Sequence, residues 1–154
     1  MKIAVGSDPV YKGSNLVDSV LEYLKENGHE IELHGALAKE GTNWADTGFE
    51  VAEAVKSGEC EEGILFCGTG TGVSIAANKV PGIRCSLCAD TQDAEIGRKY
   101  NHANIIAVGI FRTSEPRARR ILDTWFSTTE RLETKPPSIE RIQEYEKKHF
   151  RPET

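Results

Sequence analysis

Cys67-Gly68-Thr69-Gly70-Thr71-Gly72 is the segment of this chain best equipped for chemistry. Glycines let a backbone take positive φ and turn its N–H groups inward. A helix pattern follows from Val73, and its N-terminus would add partial positive charge. Such a loop cradles an anion: a phosphate, a carboxylate, or an oxyanion that develops during reaction. Cys67 closes the apolar run before the loop, where a thiol can serve as base or nucleophile. The competing fate is that of a small buried hydrophobe, the commonest one for a free cysteine. Dinucleotide binding fits poorly, because Gly68-x-Gly70-x-Gly72 is not GxGxxG and falls in the third strand–helix unit. Lys79 stands too far from the glycines for a P-loop. Cys60, Cys85 and Cys88 read as buried side chains. Cys85 and Cys88 are spaced CxxC, but odd spacing on a strand sends them to opposite faces, which argues against a zinc site or a redox pair.

The elements that must position this loop alternate from end to end. Strands are expected over 2–8, 30–34, 63–67, 83–89 and 105–110, the third and fifth (GILFC, IIAVGI) being continuously apolar as buried parallel strands are. Helical spacing of Leu16, Val20, Leu21 and Leu24 stops at Asn27-Gly28. Further helices are expected over 46–57, 73–79 and 91–100, the last with Thr91 as N-cap. Ser114 caps a helix with Pro116 in its first turn, and Pro136-Pro137 precedes a polar final helix over 138–148. Repeated strand–helix units imply a parallel sheet with helices on both faces. Ligands then bind at the carboxyl ends of strands, near a topological switch point. That rule nominates Asp8, Cys67 with its loop, Ala89-Asp90, and the segment near Gly109.

With 154 residues, 38% hydrophobic and 28% charged, the chain fits one globular domain, 1–154. A net charge of −5 gives no reason to expect a nucleic-acid partner. No apolar run reaches the length of a membrane span, and the start, MKIAVGSD, reads as a first strand and not as a signal peptide. Four cysteines without an export signal point to a reducing, cytoplasmic location. Asp90 and Asp93 read as helix caps. His29, His34 and His149 read as surface residues, and Arg117-Arg119-Arg120 as a solvated helix face with one inward stem.

Cys67–Gly72 followed by Ser74-Ile75-Ala76-Ala77-Asn78-Lys79-Val80-Pro81-Gly82-Ile83-Arg84 closely resembles the ribose-5-phosphate isomerase B / galactose-6-phosphate isomerase family. Ile3–Asp8, Val51–Val55, Arg98-x-x-Asn101-x-x-Asn104 and Asp123-Thr124-Trp125 fit the same family, in order, over nearly the whole chain. The resemblance implies a Rossmann-like three-layer α/β/α sandwich with a five-stranded parallel sheet. It also implies a homodimer, sometimes doubled to a tetramer, whose sites are shared across the dimer interface. The implied activity is a cofactor-free, metal-free aldose–ketose isomerase working through a cis-enediol on a small sugar or sugar phosphate. Carried over residue by residue, Cys67 takes the proton between C1 and C2, and Thr69 assists or holds the substrate. The amides of Gly68, Gly70, Thr71 and Gly72 stabilise the enediolate. Asp8 binds sugar hydroxyls, and Asn101 sits at the reacting end. The final helix is expected to pack on a partner subunit.

The departures from the family pattern bear on the substrate. The family commonly has His where this chain has Pro9, and a ring-opening His where it has Tyr100. Trp44 falls where the family often has Tyr. Thr134 and Ser138 fall where two arginines usually clamp the phosphate. Other cations, chiefly Lys135 and Arg112, with Arg131, Lys12 and Arg141, are then candidates for phosphate binding, though Lys lacks the bidentate fork. His102 is a candidate to replace the missing ring-opening group, against the reading of a solvated loop histidine. A four-carbon sugar 4-phosphate cannot close to a furanose and needs no ring-opening acid. A tetrose phosphate, a free pentose or hexose, and a modified sugar all remain open. So does a non-catalytic partner subunit or sugar-binding module of the same fold.

Overall fold

The computed structural model describes residues 1–150. Five parallel strands, β1 (Lys2–Ser7), β2 (Glu30–Gly35), β3 (Glu62–Cys67), β4 (Cys85–Leu87) and β5 (Ile105–Gly109), form one sheet in the order β2-β1-β3-β5-β4. Six helices connect and flank them: α1 (Asn15–Glu26), α2 (Trp44–Lys56), α3 (Thr71–Asn78), α4 (Thr91–Lys99), α5 (Glu115–Ser127) and α6 (Ser138–His149). The expected sandwich is the observed one.

Strand parity divides the interior into two layers. Ile3, Val5, Ile64, Phe66, Ile106 and Val108 meet Val17, Val20 and Leu24 of α1 and Ile121, Leu122 and Trp125 of α5. Ala4, Leu65, Ile105 and Ala107 meet Val51, Ala52 and Val55 of α2 and Val73 and Ala77 of α3. Cys85 packs on the second layer and Cys88 lies in the first, so the CxxC pair is split across the sheet as its spacing requires. Burial pushes the Cys88 thiol up to about 12 and raises Cys85 as well, as expected for inert core thiols.

Local chemistry sets the helix ends. Ser14 and Ser114 cap α1 and α5, each hydroxyl accepting from a backbone N–H three residues on. Most bounds shift from the pattern by one or two residues, as where α2 opens at Trp44 and α3 at Thr71. Asp90, not Thr91, caps α4: its carboxylate accepts from Asp93 N, while Asp93 accepts from Ala89 N, a reciprocal capping arrangement. The strand expected over 83–89 contracts to Cys85–Leu87, because β4 is an edge strand paired only to β5. Among the described residues no helix is long and apolar enough to cross a membrane.

Candidate active site

The chain passes from β1 to β2 on one side and then to β3 on the other, so a switch point lies between β1 and β3. Their carboxyl ends are side by side, and Asp8 N donates to Phe66 O at 2.8 Å. That register brings Asp8 to Cys67. The thiol donates to Asp8 Oδ2 at 3.7 Å, while Oδ1 accepts from Val10 N at 2.9 Å. Asp8 is buried and Cys67 half-buried. Pro9 is the second residue of a turn closed by Tyr11 N donating to Asp8 O, a position its fixed φ suits.

The glycine loop is folded down onto the sheet. Gly70 takes φ +82°, and a Cβ there would meet Leu87 Cδ1 at 2.5 Å. Gly109 faces the Thr69 carbonyl so closely that a Cβ would lie 2.5 Å from its oxygen. Only glycine at both places lets the loop cross the end of β5. Gly70 is the N-cap of α3 and offers no side chain; Thr71 N donates to Thr69 Oγ1 at 3.4 Å, and among the described residues no side chain takes the N–H groups of Gly72 and Val73. The exposed Thr69 hydroxyl bonds Thr71 Oγ1 at 3.0 Å. Trp44, the first residue of α2, lays its ring edge along Gly72 and stays 42% exposed. Arg112 lies in the 3-10 turn Ile110–Arg112, beyond the carboxyl end of β5, and is exposed.

The rest of the expected set is elsewhere. Gly63 pairs with Ile105 and Cys67 with Gly109, so residues 100–104 stand at the amino end of the sheet, a strand length from Cys67. Tyr100 caps the C-terminus of α4, and Asn101 follows it, both exposed. His102 takes φ +50° and turns its ring onto its own chain, with Nε2 3.0 Å from Leu132 O and Nδ1 3.9 Å from Glu133. Lys135 belongs to residues 128–137, which run past this same end, with Leu132 N donating to Lys99 O. One chain therefore assembles Asp8, Cys67, Trp44, the glycine loop and Arg112. It keeps Tyr100, Asn101, His102 and Lys135 apart from them.

The distant group is held from inside. Arg98 donates to Ala103 O at 2.6 Å and to Glu62 Oε1 at 2.5 Å, and its guanidinium lies 4.7 Å from the Trp125 ring centroid. Trp125 Nε1 donates to the other Glu62 oxygen at 2.8 Å. This buried set fixes the loop that presents Asn101.

Residues 3–144 match the Ribose/Galactose Isomerase family. The chain belongs to this family. It is 40% identical over 124 residues to ribose-5-phosphate isomerase B of Escherichia coli, covering 80% of this chain and 82% of that one. It is 34% identical over 148 residues to D-erythrulose-4-phosphate isomerase of Pectobacterium atrosepticum, covering 95% of each. The ribose-5-phosphate isomerase B structure from Clostridium thermocellum superposes with a TM-score of 0.87 at 43% identity, covering 97% and 99% of the two chains. Family membership places the chain among the sugar-phosphate isomerases, which interconvert aldoses and ketoses.

Within the family frame, two pairs of positions stand out. Where paired arginines are expected, Thr134 and Ser138 hydrogen-bond each other at 2.8 Å, and Thr134 Oγ1 accepts from Ser138 N, capping α6 in place of Pro137. Tyr11 and Phe111 border Gly68 at the Cys67 end. Motif spacing does not reveal them; the signal is only that each closely follows the carboxyl end of a strand.

Among the described residues, Glu32, His34 and Cys60 bring metal-ligand types together at the far side of the molecule. Lys2 Nζ already neutralises Glu32 at 2.8 Å and His34 Nε2 lies 2.7 Å from its other oxygen. Burial pushes the Cys60 thiol up to about 11. The group is a charge-compensated hydrogen-bonded cluster.

Proposed function

We propose that the chain isomerises a small aldose phosphate and its ketose through a cis-enediol, with Cys67 as the base. The observation that carries this is the Cys67–Asp8 contact beside the amides that open α3. A weakly acidic C–H proton needs a base at contact distance and preorganised donors for the oxyanion that forms. Cys67 takes the proton from one carbon and returns it to its neighbour. Asp8, which accepts the thiol hydrogen bond, handles the thiol proton and holds sugar hydroxyls. The N–H groups of the Gly68–Gly72 loop face the enediolate oxygen, and Thr69 orients the substrate.

Two copies of the chain complete the site. Asn101, Tyr100 and the cation Lys135 lie at the wrong end of their own sheet, so a two-fold pair is the arrangement that delivers them to a neighbour's Cys67. Exposed Ile142, Tyr145 and Phe150 give α6 an apolar stripe for that neighbour, and the whole of 1–154 acts as one isomerase domain. The phosphate is then held by Lys135 of the second copy and by helix amides, since Thr134 and Ser138 bear no charge.

The test is catalytic. The purified chain is offered tetrose, pentose and hexose phosphates and the free sugars in deuterated water, and exchange at C1 and C2 is followed by NMR. Exchange that disappears in Cys67→Ala supports the reading. Its absence for every substrate rejects it in favour of a non-catalytic member of the fold.

A further inference from the structure

We infer that His102 is a positioning residue: its ring clips the segment that carries Lys135 to the loop that presents Asn101, so that both reach a neighbouring copy's Cys67 as one unit. The inference rests on the proposed isomerase pair and says how its second half is held together.

The clip starts from an unusual backbone. His102 takes φ +50°, and among the described residues it is the one non-glycine residue in the left-handed region. A side chain is kept there where its surroundings impose it. Here those surroundings are specific. The His102 carbonyl accepts from Arg84 Nε at 2.9 Å, and the next carbonyl, that of Ala103, accepts from Arg98 Nη1 at 2.6 Å. Arg84 N in turn donates to Asn104 Oδ1 at 2.9 Å. At this turn Asn101 stays exposed, while the next side chain, that of His102, lies back against the chain and is only 17% exposed.

The ring ends on Leu132. Its Nε2 lies 3.0 Å from Leu132 O, and a carbonyl can only accept, so Nε2 carries the proton and donates. That commits the N–H which a ring-opening acid would have to give up. Leu132 N donates to Lys99 O at 2.8 Å. Leu132 is therefore bonded through both its N–H and its C=O, to Lys99 and to His102, and the residues between those two anchors are Tyr100 and Asn101. Charges follow the same seam: Lys99 Nζ lies 3.1 Å from Glu130, and Glu133 lies 3.9 Å from His102 Nδ1. Lys135 stands three residues beyond Leu132, a stretch that spans about 11 Å at most. A cation on so short a tether is placed by where Leu132 is fixed. Without the ring, the segment keeps only its Lys99 anchor and an exposed ion pair, and binding a phosphate would have to order it first.

Three variants of the full-length protein test it. His102→Asn tolerates the left-handed turn but is too short to reach Leu132 O, His102→Gln puts an amide N–H near the place of Nε2, and Lys135→Ala removes the cation. Amide hydrogen exchange is followed by mass spectrometry, and affinity for inorganic phosphate by phosphorus NMR titration. In His102→Asn, residues 128–135 should exchange about tenfold faster while β3 and β5 keep their wild-type rates, and His102→Gln should restore part of the protection. His102→Asn and Lys135→Ala should each weaken phosphate binding about threefold or more, and the double variant should bind no more weakly than Lys135→Ala alone, since both substitutions remove one interaction. For a sugar phosphate that wild type isomerises, His102→Asn should raise KM and leave kcat within about twofold. Wild-type exchange over 128–135 in His102→Asn, a phosphate affinity that either substitution leaves unmoved, or losses that multiply in the double variant overturn the clip. So does a kcat that collapses in His102→Asn with phosphate affinity intact, which would make His102 an acid. Each of these leaves the isomerase reading standing as long as Cys67-dependent exchange at C1 and C2 is seen. If wild type isomerises nothing, that reading falls, and the amide exchange and the phosphate titration alone decide the clip.

Discussion

The two ends of the sheet are built on different principles. At the carboxyl end, the chain brings together residues far apart in sequence: the Cys67 thiol meets the Asp8 carboxylate across a separation of 59 residues. The β1–β3 register makes that contact, and Gly70 and Gly109 let the loop after β3 lie down across β5. At the amino end, the chain fixes Tyr100, Asn101 and His102 with a buried Glu62–Arg98–Trp125 set and then leaves the first two of them exposed, facing away from Cys67. One end holds the proposed base and donors; the other holds Tyr100 and Asn101 firmly, a strand length away from them. In the proposed pair, the second end of another copy meets the first.

That contrast can be broken at either end. The largest effect is expected from Cys67→Ala, which removes the proposed base: kcat should fall by about 10³-fold or more with little change in thermal midpoint. Next is a mixing experiment. Cys67→Ala and Asn101→Ala, each inactive alone, should regain roughly a quarter of wild-type activity when unfolded together and refolded, because half of the pairs carry one intact site of two. No recovery would mean that each site lies within a single chain. Arg98→Met should then lower stability by about 3–5 kcal/mol in denaturant titration, because it strands the buried Glu62 carboxylate. Gly70→Ala, placed at φ +82° against Leu87, is expected to lose about 1–3 kcal/mol of stability and to reduce kcat, through displacement of the loop amides.

The smallest effect concerns pH. His29 stacks on Phe126 with centroids 4.6 Å apart, its Nδ1 is buried without a partner, and burial lowers its pKa from 6.5. The folded state therefore prefers the neutral ring. This contribution is present in full above the unfolded value and is lost as pH falls from about 6.5 through the lowered folded value. His29→Phe should flatten the acid side of the stability profile in thermal melts between pH 7 and 5, while leaving activity at neutral pH unchanged.

Much of this architecture is written locally. Apolar runs such as GILFC and caps such as Ser14 and Ser114 are complete signals within a few residues, so strand and helix bounds follow closely. The split of Cys85 and Cys88 follows from strand parity alone. The sequence pattern makes His34 and His29 surface residues, but each is partly covered, by Glu32 and by Phe126. The competition between Thr91 and Asp90 for the cap of α4 turns on which side chain can pair with Asp93, a matter of backbone geometry. The position of β5 between β3 and β4 is likewise a tertiary fact, and it is what lays Thr69 on Gly109. Tyr11 and Phe111 carry no signal beyond their place after strands, because their edge-to-face contact joins two residues about a hundred positions apart. Thr134 and Ser138 could be read as missing arginines; that they bond each other and cap α6 could not.

β3 deserves to be viewed as a mechanical part. Glu62 opens it and grips Arg98, which grips the loop behind Asn101; Cys67 ends it. Five residue steps, of about 3.3 Å each, separate the two, with no loop between. In the proposed pair, each copy's β3 becomes a short stiff rod reaching from one reaction centre to the other. The spacing between the proposed centres is then set by strand length.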